Sequence, residues 1–433
     1  MRSLRSALAG VVLLVVWPHG TVDNAAGRSA VITLDVPGRA DATPWIAASG
    51  PFAAVVWGAR DGSGTDVFAA VSRDGGSTFG PPVRVNKGPG EARLGGELPP
   101  RVALTHARGS APPEIVVVWT ARGEQTAIKV ARSRDGGRTF GAPALLQSPR
   151  APGDRGWPSV AVDASGRVHA VWLDHRGLAE HRTASRDHRR HAPHDGVAMA
   201  QRSGLYYASL AVASGEATPE RELAKGVCYC CKTALAAGQD GALYAAWRHV
   251  YPGNLRDMAF TMSADGGRTF SQPVRVSEDA WAIDGCPDDG PAIAVDERGV
   301  VHLVWPTVIG DDAPEGAIFY ASTRDGVRFT PRVRVPTLGG TRPSHPQIAV
   351  DRNGRIFVAW DESIDGERIA VVRELWPRTG GTPEFGPVIR LAEDAASYPV
   401  LAATDRGLIA AWTVGGEPSR VQVRAVTGMS RSD

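Results

Sequence analysis

Long hydrophobic runs are scarce in this 433-residue chain, lysine supplies only four of its 48 basic residues, and cysteine occurs four times. Each shortage excludes something. The apolar stretch from Ala7 to Trp17 covers about eleven residues, whereas a membrane-spanning helix needs roughly 20. No transmembrane segment is therefore expected in the mature chain. Basic and acidic residues nearly cancel, at a net charge of +2, so the bulk positive field that attracts nucleic acid is missing. No cysteine lies near the N-terminus, which excludes a lipid-modified cysteine there.

Arg2 and Arg5 precede the apolar stretch, and small residues around Ala25–Ala26 follow it. That order of basic, apolar and small segments predicts a signal peptide over residues 1–27 and an exported protein, periplasmic or extracellular. The competing reading is a buried N-terminal strand. Export would permit disulfides. The 50 glycines and 32 prolines predict many turns, as an all-β chain of short strands requires.

The chain repeats itself. "SRDGGSTF" from Ser72 returns as "SRDGGRTF" from Ser133, "SADGGRTF" from Ser263 and a worn "STRDGVRF" from Ser322. The aspartate suits local backbone N–H groups, the glycines supply positive φ, and the aromatic fills the space behind the turn. A second phrase recurs seven times: Trp57, Trp119, Trp172, Trp247, Trp305, Trp360 and Trp412 each close a short apolar strand. Four strands per tryptophan unit predict an all-β propeller of seven blades, with six as the alternative. The last unit shows three strands, and "AVITLDV" from Ala30 is expected to supply its fourth and close the ring. Residues 28–433 thus read as one propeller domain with a histidine-rich insertion at about 175–203.

The S-x-D-x-G-x-T-F phrase resembles the Asp-box of sialidase-like (BNR-repeat) β-propellers, and the chain as a whole is similar to bacterial proteins labelled exo-α-sialidase. The resemblance implies that Asp74, Asp135, Asp265 and Asp325 are scaffold, in turns joining strands three and four. Function is then expected on the opposite face, where each inner strand begins. The sialidase catalytic pattern itself is not matched: the early Phe/Tyr-Arg-Ile-Pro motif is absent, and "PPRVAL" around Arg101 lies too far into the chain.

Unusual residues gather on that face. Cys228 lies 19 residues before Trp247, and Cys286 lies 19 before Trp305, which makes them equivalent in adjacent blades. Trp157, Lys232, Gly290 and His345 each lie 15 residues before their tryptophan. Trp157, Lys232, Asp289, Arg342 and Tyr398, with Arg155, form the binding set. Arg155, Arg248 and Arg342 could clamp an anion, and Asp288, Tyr251 and Arg248 are the catalytic candidates if the protein is an enzyme. The insertion adds His175, His181, His188, His191 and His194, read as a solvated loop. His169 and His302, inside strand two, read as structural.

The cysteines admit two readings. One is a pair of disulfides, with Cys228–Cys286 the natural bridge between blades, although four cysteines allow three pairings. The other is a site for copper or zinc formed by Cys228, Cys230, Cys231 and Cys286, with His249 or His345 adding nitrogen. C-x-C-C matches no standard zinc signature. Three functions follow: a monomeric cell-envelope protein binding a small molecule, glycan or metal; a sialidase-like glycoside hydrolase; or a protein-interaction platform.

Overall fold

A computed structural model describes residues 30–105, 111–179, 196–211, 216–283, 285–310, 313–378 and 381–426. The expected signal peptide and His181, His188, His191 and His194 lie outside the described residues. A lone strand, β1 (Ile32–Leu34), comes first. Blade 1 holds β2 (Ala40–Ser49), β3 (Phe52–Asp61), β4 (Gly64–Ser72) and β5 (Val83–Arg84). Blade 2 holds β6 (Arg101–Leu104), β7 (Ile115–Ala121), β8 (Ala127–Ser133) and β9 (Ala144–Leu145). Blade 3 holds β10 (Arg155–Val162), β11 (Val168–Asp174), β12 (Gly204–Leu210) and β13 (Arg221–Lys225), with the short helix α1 (Gly196–Gln201) in its insertion.

Blade 4 is β14 (Ala234–Ala237), β15 (Leu243–Arg248), β16 (Met258–Ser263) and β17 (Val274–Arg275). Blade 5 is β18 (Ala292–Val295), β19 (Val301–Ile309), β20 (Glu315–Thr323) and β21 (Val333–Arg334). Blade 6 is β22 (Thr341–Val350), β23 (Ile356–Ile364), β24 (Glu367–Trp376) and β25 (Glu384–Arg390). Blade 7 is β26 (Ala396–Thr404), β27 (Gly407–Val414) and β28 (Arg420–Val426), completed by β1. Every sheet is antiparallel, and the first strands of successive blades touch around a central axis. The fold is a seven-bladed β-propeller, so the six-bladed alternative falls away. Among the described residues, no helix is long and apolar enough to cross a membrane.

The tryptophans explain why the blades stay together. All seven lie at the second strand of their blade and are at most 1% exposed. Each is buried with side chains of the blade before it: Trp119 with Val56 and Val67, Trp172 with Val116 and Val118, Trp247 with Val171 and Leu205. The pattern continues with Trp305 against Ala246, Trp360 against Val304 and Trp412 against Ala359. Trp57 completes the circle by packing with Val400 and Ala411 of blade 7. Closure is also a matter of hydrogen bonding, because β1 pairs Ile32, Thr33 and Leu34 with Val423, Gln422 and Val421.

The repeated turns join strands three and four, opposite the leading ends of the inner strands. In the first, Thr78 donates its N–H and hydroxyl to the two oxygens of Asp74, at 2.9 and 2.6 Å. Asp135 and Asp265 hold Thr139 and Thr269 in the same way. Gly76 has φ +90°, and a Cβ there would stand 2.6 Å from Ile409 of the neighbouring blade, so glycine is required twice over. In the worn copy the serine's place is taken by Thr323, not Ser322, and Thr323 donates to Asp325 at 3.1 Å. His169 and His302 each hydrogen-bond a buried tyrosine hydroxyl at 2.8 Å, Tyr207 and Tyr320 respectively.

Removing one of these wedges should open an inter-blade core that cannot collapse around the gap. Trp360→Ala is expected to cost about 3–5 kcal/mol, read from the urea midpoint at unchanged slope. A loss below about 1.5 kcal/mol, the cost of a volume-conserving swap, would mean the wedge is not what holds blades 5 and 6 together.

Candidate functional site

The inner strands do not begin smoothly. In β2, β10, β22 and β26 the pairing to strand two slips, between Ala42 and Trp45, Gly156 and Ser159, Ser344 and Gln347, and Ser397 and Val400. A proline sits in each slip, where it cannot donate to the ladder. The residue before it takes a left-handed φ: Thr43 at 55°, Trp157 at 52°, His345 at 54° and Tyr398 at 54°. Arg342 at 52° adds another in β22, and Asp288 at 48° one in the segment leading into β18. Non-glycine residues at such φ are strained, and they persist only where the surroundings over-determine them.

In three blades the residue that follows the tryptophan does so. Thr413 Oγ1 accepts the N–H of Thr43 at 2.9 Å, and Asp361 Oδ2 accepts that of Tyr398 at 2.7 Å. Arg248 Nε donates to the carbonyl of Asp289 at 3.1 Å. In each case one blade clamps the leading segment of the next.

Side chains from several blades meet here. Glu97 of blade 2 accepts Lys232 Nζ of blade 4 at 3.1 Å and the Gly290 N–H of blade 5 at 3.0 Å. Lys232 also faces Asp289 at 3.6 Å, and Asp289 Oδ2 accepts the His345 N–H at 3.0 Å. His345 Nδ1 lies 2.8 Å from Asp361, its ring centroid 4.2 Å from that of Tyr398, and Arg368 pairs with Asp361. A Cβ on Gly96 would fall 2.1 Å from the Tyr398 hydroxyl oxygen. Blade 2 thereby reaches blades 4, 5 and 7, which only groups near the axis can do. Burial raises the Glu97 carboxyl, against the pull of Lys232, and burial also lowers the His345 imidazole despite the nearby Asp289 and Glu97. Arg101 stacks 3.5 Å from the Trp45 ring centroid, and burial depresses its guanidinium to about 9.

The cysteines adjoin this network. Val227 pairs with His249, and the Cys228 N–H donates to Arg248 O at 2.9 Å, which fixes the start of the loop. The Cys231 thiol donates to Cys228 Sγ at 3.5 Å, and Cys230 Sγ lies 3.8 Å from Cys228 Sγ. Arg256 Nη1 reaches Cys228 Sγ at 3.2 Å, while its Nη2 is buried without a partner. The hydrogen bond from Cys231, helped by Arg256 and Arg248, lowers the Cys228 thiol to about 6. Burial, and then the Cys228 sulfur, push Cys231 well up. The same contact thus eases Cys228 toward thiolate and holds Cys231 as the thiol.

The disulfide is Cys230–Cys286, with Cα atoms 6.4 Å apart, and not the Cys228–Cys286 bridge expected from equivalent positions. The reason is local: Cys228 is tied back to β15, so its sulfur turns inward to Arg256. Cys230 sits two residues on, in the turn facing the segment that carries Cys286. Cys228 and Cys231 are free and buried.

The other expected residues are dispersed. Arg155 is buried against Asp174 and the carbonyls of Gly153 and Pro152, and Arg248 gives its guanidinium to the carbonyls of Asp289, Arg256 and Pro306. The anion clamp therefore loses two of its three arginines to backbone anchoring; Arg342 alone is exposed. Tyr251 lies under Arg275 and against His249. His249 takes the Trp247 indole N–H at 3.4 Å, and burial lowers it to about 4; neither it nor His345 joins the sulfur cluster. Asp288 is exposed beside Asp289, and Trp157 is half-buried with its carbonyl taken by Thr233.

Sequence reasoning missed Glu97, Asp361, Arg368 and Arg256. Counting back 15 residues from Trp119 lands on Leu104, because the turn between β6 and β7 is longer than its counterparts. The pairing of Arg101 with Val118 shows that Pro99 is the true equivalent of Trp157, with Glu97 two residues ahead. Asp361 carried a signal in the Trp-Asp pair, a carboxylate where the other blades place Gly58, Thr120, Leu173, Arg248, Pro306 and Thr413.

No family model matches the sequence, and no curated protein matches it either. Solved structures share the fold. A PL25 ulvan lyase has a TM-score of 0.58 at 12% identity, covering 92% of this chain and 94% of its own. The polysaccharide lyase Uly1 has 0.53 at 10% identity, covering 94% of both chains. The Hadza microbial sialidase Hz136 has 0.50 at 15% identity, covering 85% of this chain and 74% of its own. At these identities the likeness is one of fold, and the expected kinship with sialidases has no support at the level of sequence.

Lys232 is the cation between two carboxylates, so its loss should be felt. Unpairing a buried charge costs about 3–5 kcal/mol, and Lys232→Met is expected to lose that much in urea denaturation at neutral pH. Without the ammonium, Glu97 rises further above its ordinary value. A carboxyl raised in the folded state stabilises the fold at low pH, and that contribution disappears as pH climbs through its folded pKa. The deficit of the variant should therefore shrink on acidification from about pH 7 to about pH 5. A deficit that stays flat or grows would show that Lys232 does not hold these carboxylates.

Proposed function

We propose that the protein is an exported, cell-envelope binder of a soft metal ion, Cu(I) before zinc, held by the sulfurs of Cys228, Cys230 and Cys231. One observation carries this reading: the three sulfurs lie within 4.8 Å of one another, at 3.5 and 3.8 Å for the pairs involving Cys228. An ion bonded to sulfur at about 2.3 Å, with trigonal or tetrahedral angles, spreads its ligands to roughly 3.8–4.0 Å. Once the Cys230–Cys286 bond is reduced, the loop needs little rearrangement to reach that spacing. Three sulfurs with no imidazole or carboxylate beside them among the described residues suit Cu(I) better than zinc, which takes a fourth ligand. Arg256 and Arg248 supply positive charge next to the thiolates, which offsets the cost of burying them.

The glycoside-cleaving alternative has one observation in its favour, the His345 imidazole held by Asp361 beside Tyr398. Of the residues expected to serve it, Asp288 lies within electrostatic reach of His345 and Tyr398, whereas Tyr251 packs on His249 and Arg248 anchors backbone carbonyls.

The metal reading is tested with fully reduced protein under anaerobic conditions, titrated with Cu(I) against a chromophoric chelator. One tightly held equivalent is expected, lost in Cys228→Ser/Cys231→Ser while the far-ultraviolet circular dichroism is unchanged. Failure of the reduced wild-type protein to compete for copper would end this reading.

A further inference from the structure

The four cysteines are not equally accessible. Cys228, Cys230 and Cys231 are 1%, 7% and 2% exposed, whereas Cys286 is exposed. The Cys230–Cys286 bond therefore joins an exposed residue to a buried one whose sulfur lies 3.8 Å from Cys228 Sγ. While the bond is closed, Cys230 has no thiolate to give, and only Cys228 and Cys231 remain as ligands.

We infer that this disulfide is a redox gate on the sulfur site, opened by an external dithiol that attacks Cys286. The inference rests on the metal reading for its consequence and on accessibility for its chemistry. Exchange proceeds by attack of a thiolate on a disulfide sulfur, and which sulfur is attacked depends on access. A dithiol thiolate bonds to Cys286 Sγ, the Cys230–Cys286 bond breaks, and its electron pair leaves on Cys230 Sγ. The second thiolate of the reagent then attacks its own mixed-disulfide sulfur and expels Cys286 as a thiolate. The protein disulfide gains two electrons, the dithiol becomes a cyclic disulfide, and proton balance is met by the reagent's thiols. Cys230 is left as a thiolate inside, beside Cys228 and the Arg256 guanidinium that already contacts it.

The leaving position is prepared on both sides. The segment carrying Cys286 is fastened to blade 4 by Asn254 Nδ2 donating to Ile283 O at 2.7 Å and by the Arg256 N–H donating to Trp281 O at 2.8 Å. Opening the bond thus need not release the segment. The Cys230 side is anchored by the Val227–His249 pairing and by Cys228 itself. Two blades stay in place while one covalent link between them is made or broken.

Three forms of the full chain separate the gate from the metal reading: oxidised wild type, wild type reduced by dithiothreitol, and Cys286→Ser without reductant. A monothiol, 2-mercaptoethanol, is added to the oxidised protein, and the adduct is located by peptide mass spectrometry. The adduct is expected on Cys286. An adduct on Cys230 would overturn the assigned direction of attack. Cu(I) competition is then measured on all three forms. Loss of a mere outer-shell partner costs about 10–100-fold in metal affinity, so losing one of three direct ligands should cost at least that. Reduced wild type and Cys286→Ser should therefore bind at least about tenfold more tightly than oxidised wild type. Equal affinity in all three forms would overturn the gate while leaving the metal reading intact. No copper binding in any form, with the adduct still on Cys286, would end the metal reading and leave the exchange chemistry standing. Should Cys286→Ser fail to fold, the reduced wild type answers the same question.

Discussion

Each blade of this propeller has an apolar face that only the next blade can cover, and the cover is one tryptophan. Seven indoles, each packed with side chains of the preceding blade, link the sheets into a closed ring. In three blades the residue after the tryptophan uses the position this creates. It stands at the seam, close to the neighbouring inner strand, and so Asp361, Thr413 and Arg248 can clamp that strand's strained leading segment. Hydrophobic wedge and polar clamp are adjacent in sequence because a strand turns successive side chains to opposite faces.

That scaffold explains how so much charge can lie near the axis. Glu97, Lys232 and Asp289 come from three different blades, and none could be held at hydrogen-bonding distance if the blades shifted against one another. Buried ion pairs of this kind stabilise weakly against apolar substitutes, yet breaking one is costly. The sulfur cluster sits on the rim of the same arrangement, between blades 4 and 5, and borrows its positive charge from Arg256 and Arg248.

The architecture was readable because its signals repeat. Seven tryptophans, the S-x-D-x-G-x-T-F turns and the unpaired "AVITLDV" segment each predicted a feature that is present, including the strand pairing that closes the ring. The site was readable only in part, because it has no repeat. Lys232, Asp289, His345 and Tyr398 were found by position, and they do converge. Glu97 was hidden by one long turn that upset the count from Trp119. The roles of Arg155 and Arg248 could not be guessed, since a guanidinium that anchors carbonyls looks, in sequence, like one that awaits an anion. The disulfide partner of Cys286 follows from how the Gly226–Cys228 segment is tied to the strand end at Arg248–Val250, and composition carries no trace of it.

The pairing of β1 with β28 also sets a timetable. β1 lies close to the start of the described chain and its partner close to the end, so the two meet only after every intervening blade has been made. Chains are synthesised at about 5–20 residues per second, and the wait is on the order of half a minute. Throughout it, blade 7 does not exist, and the β1 strand and the blade 1 surface destined for Trp57's partners remain uncovered. The nascent protein is an open arc with a sticky edge at its oldest end. Until the last blade is made, that uncovered edge can pair with another chain as readily as with its own.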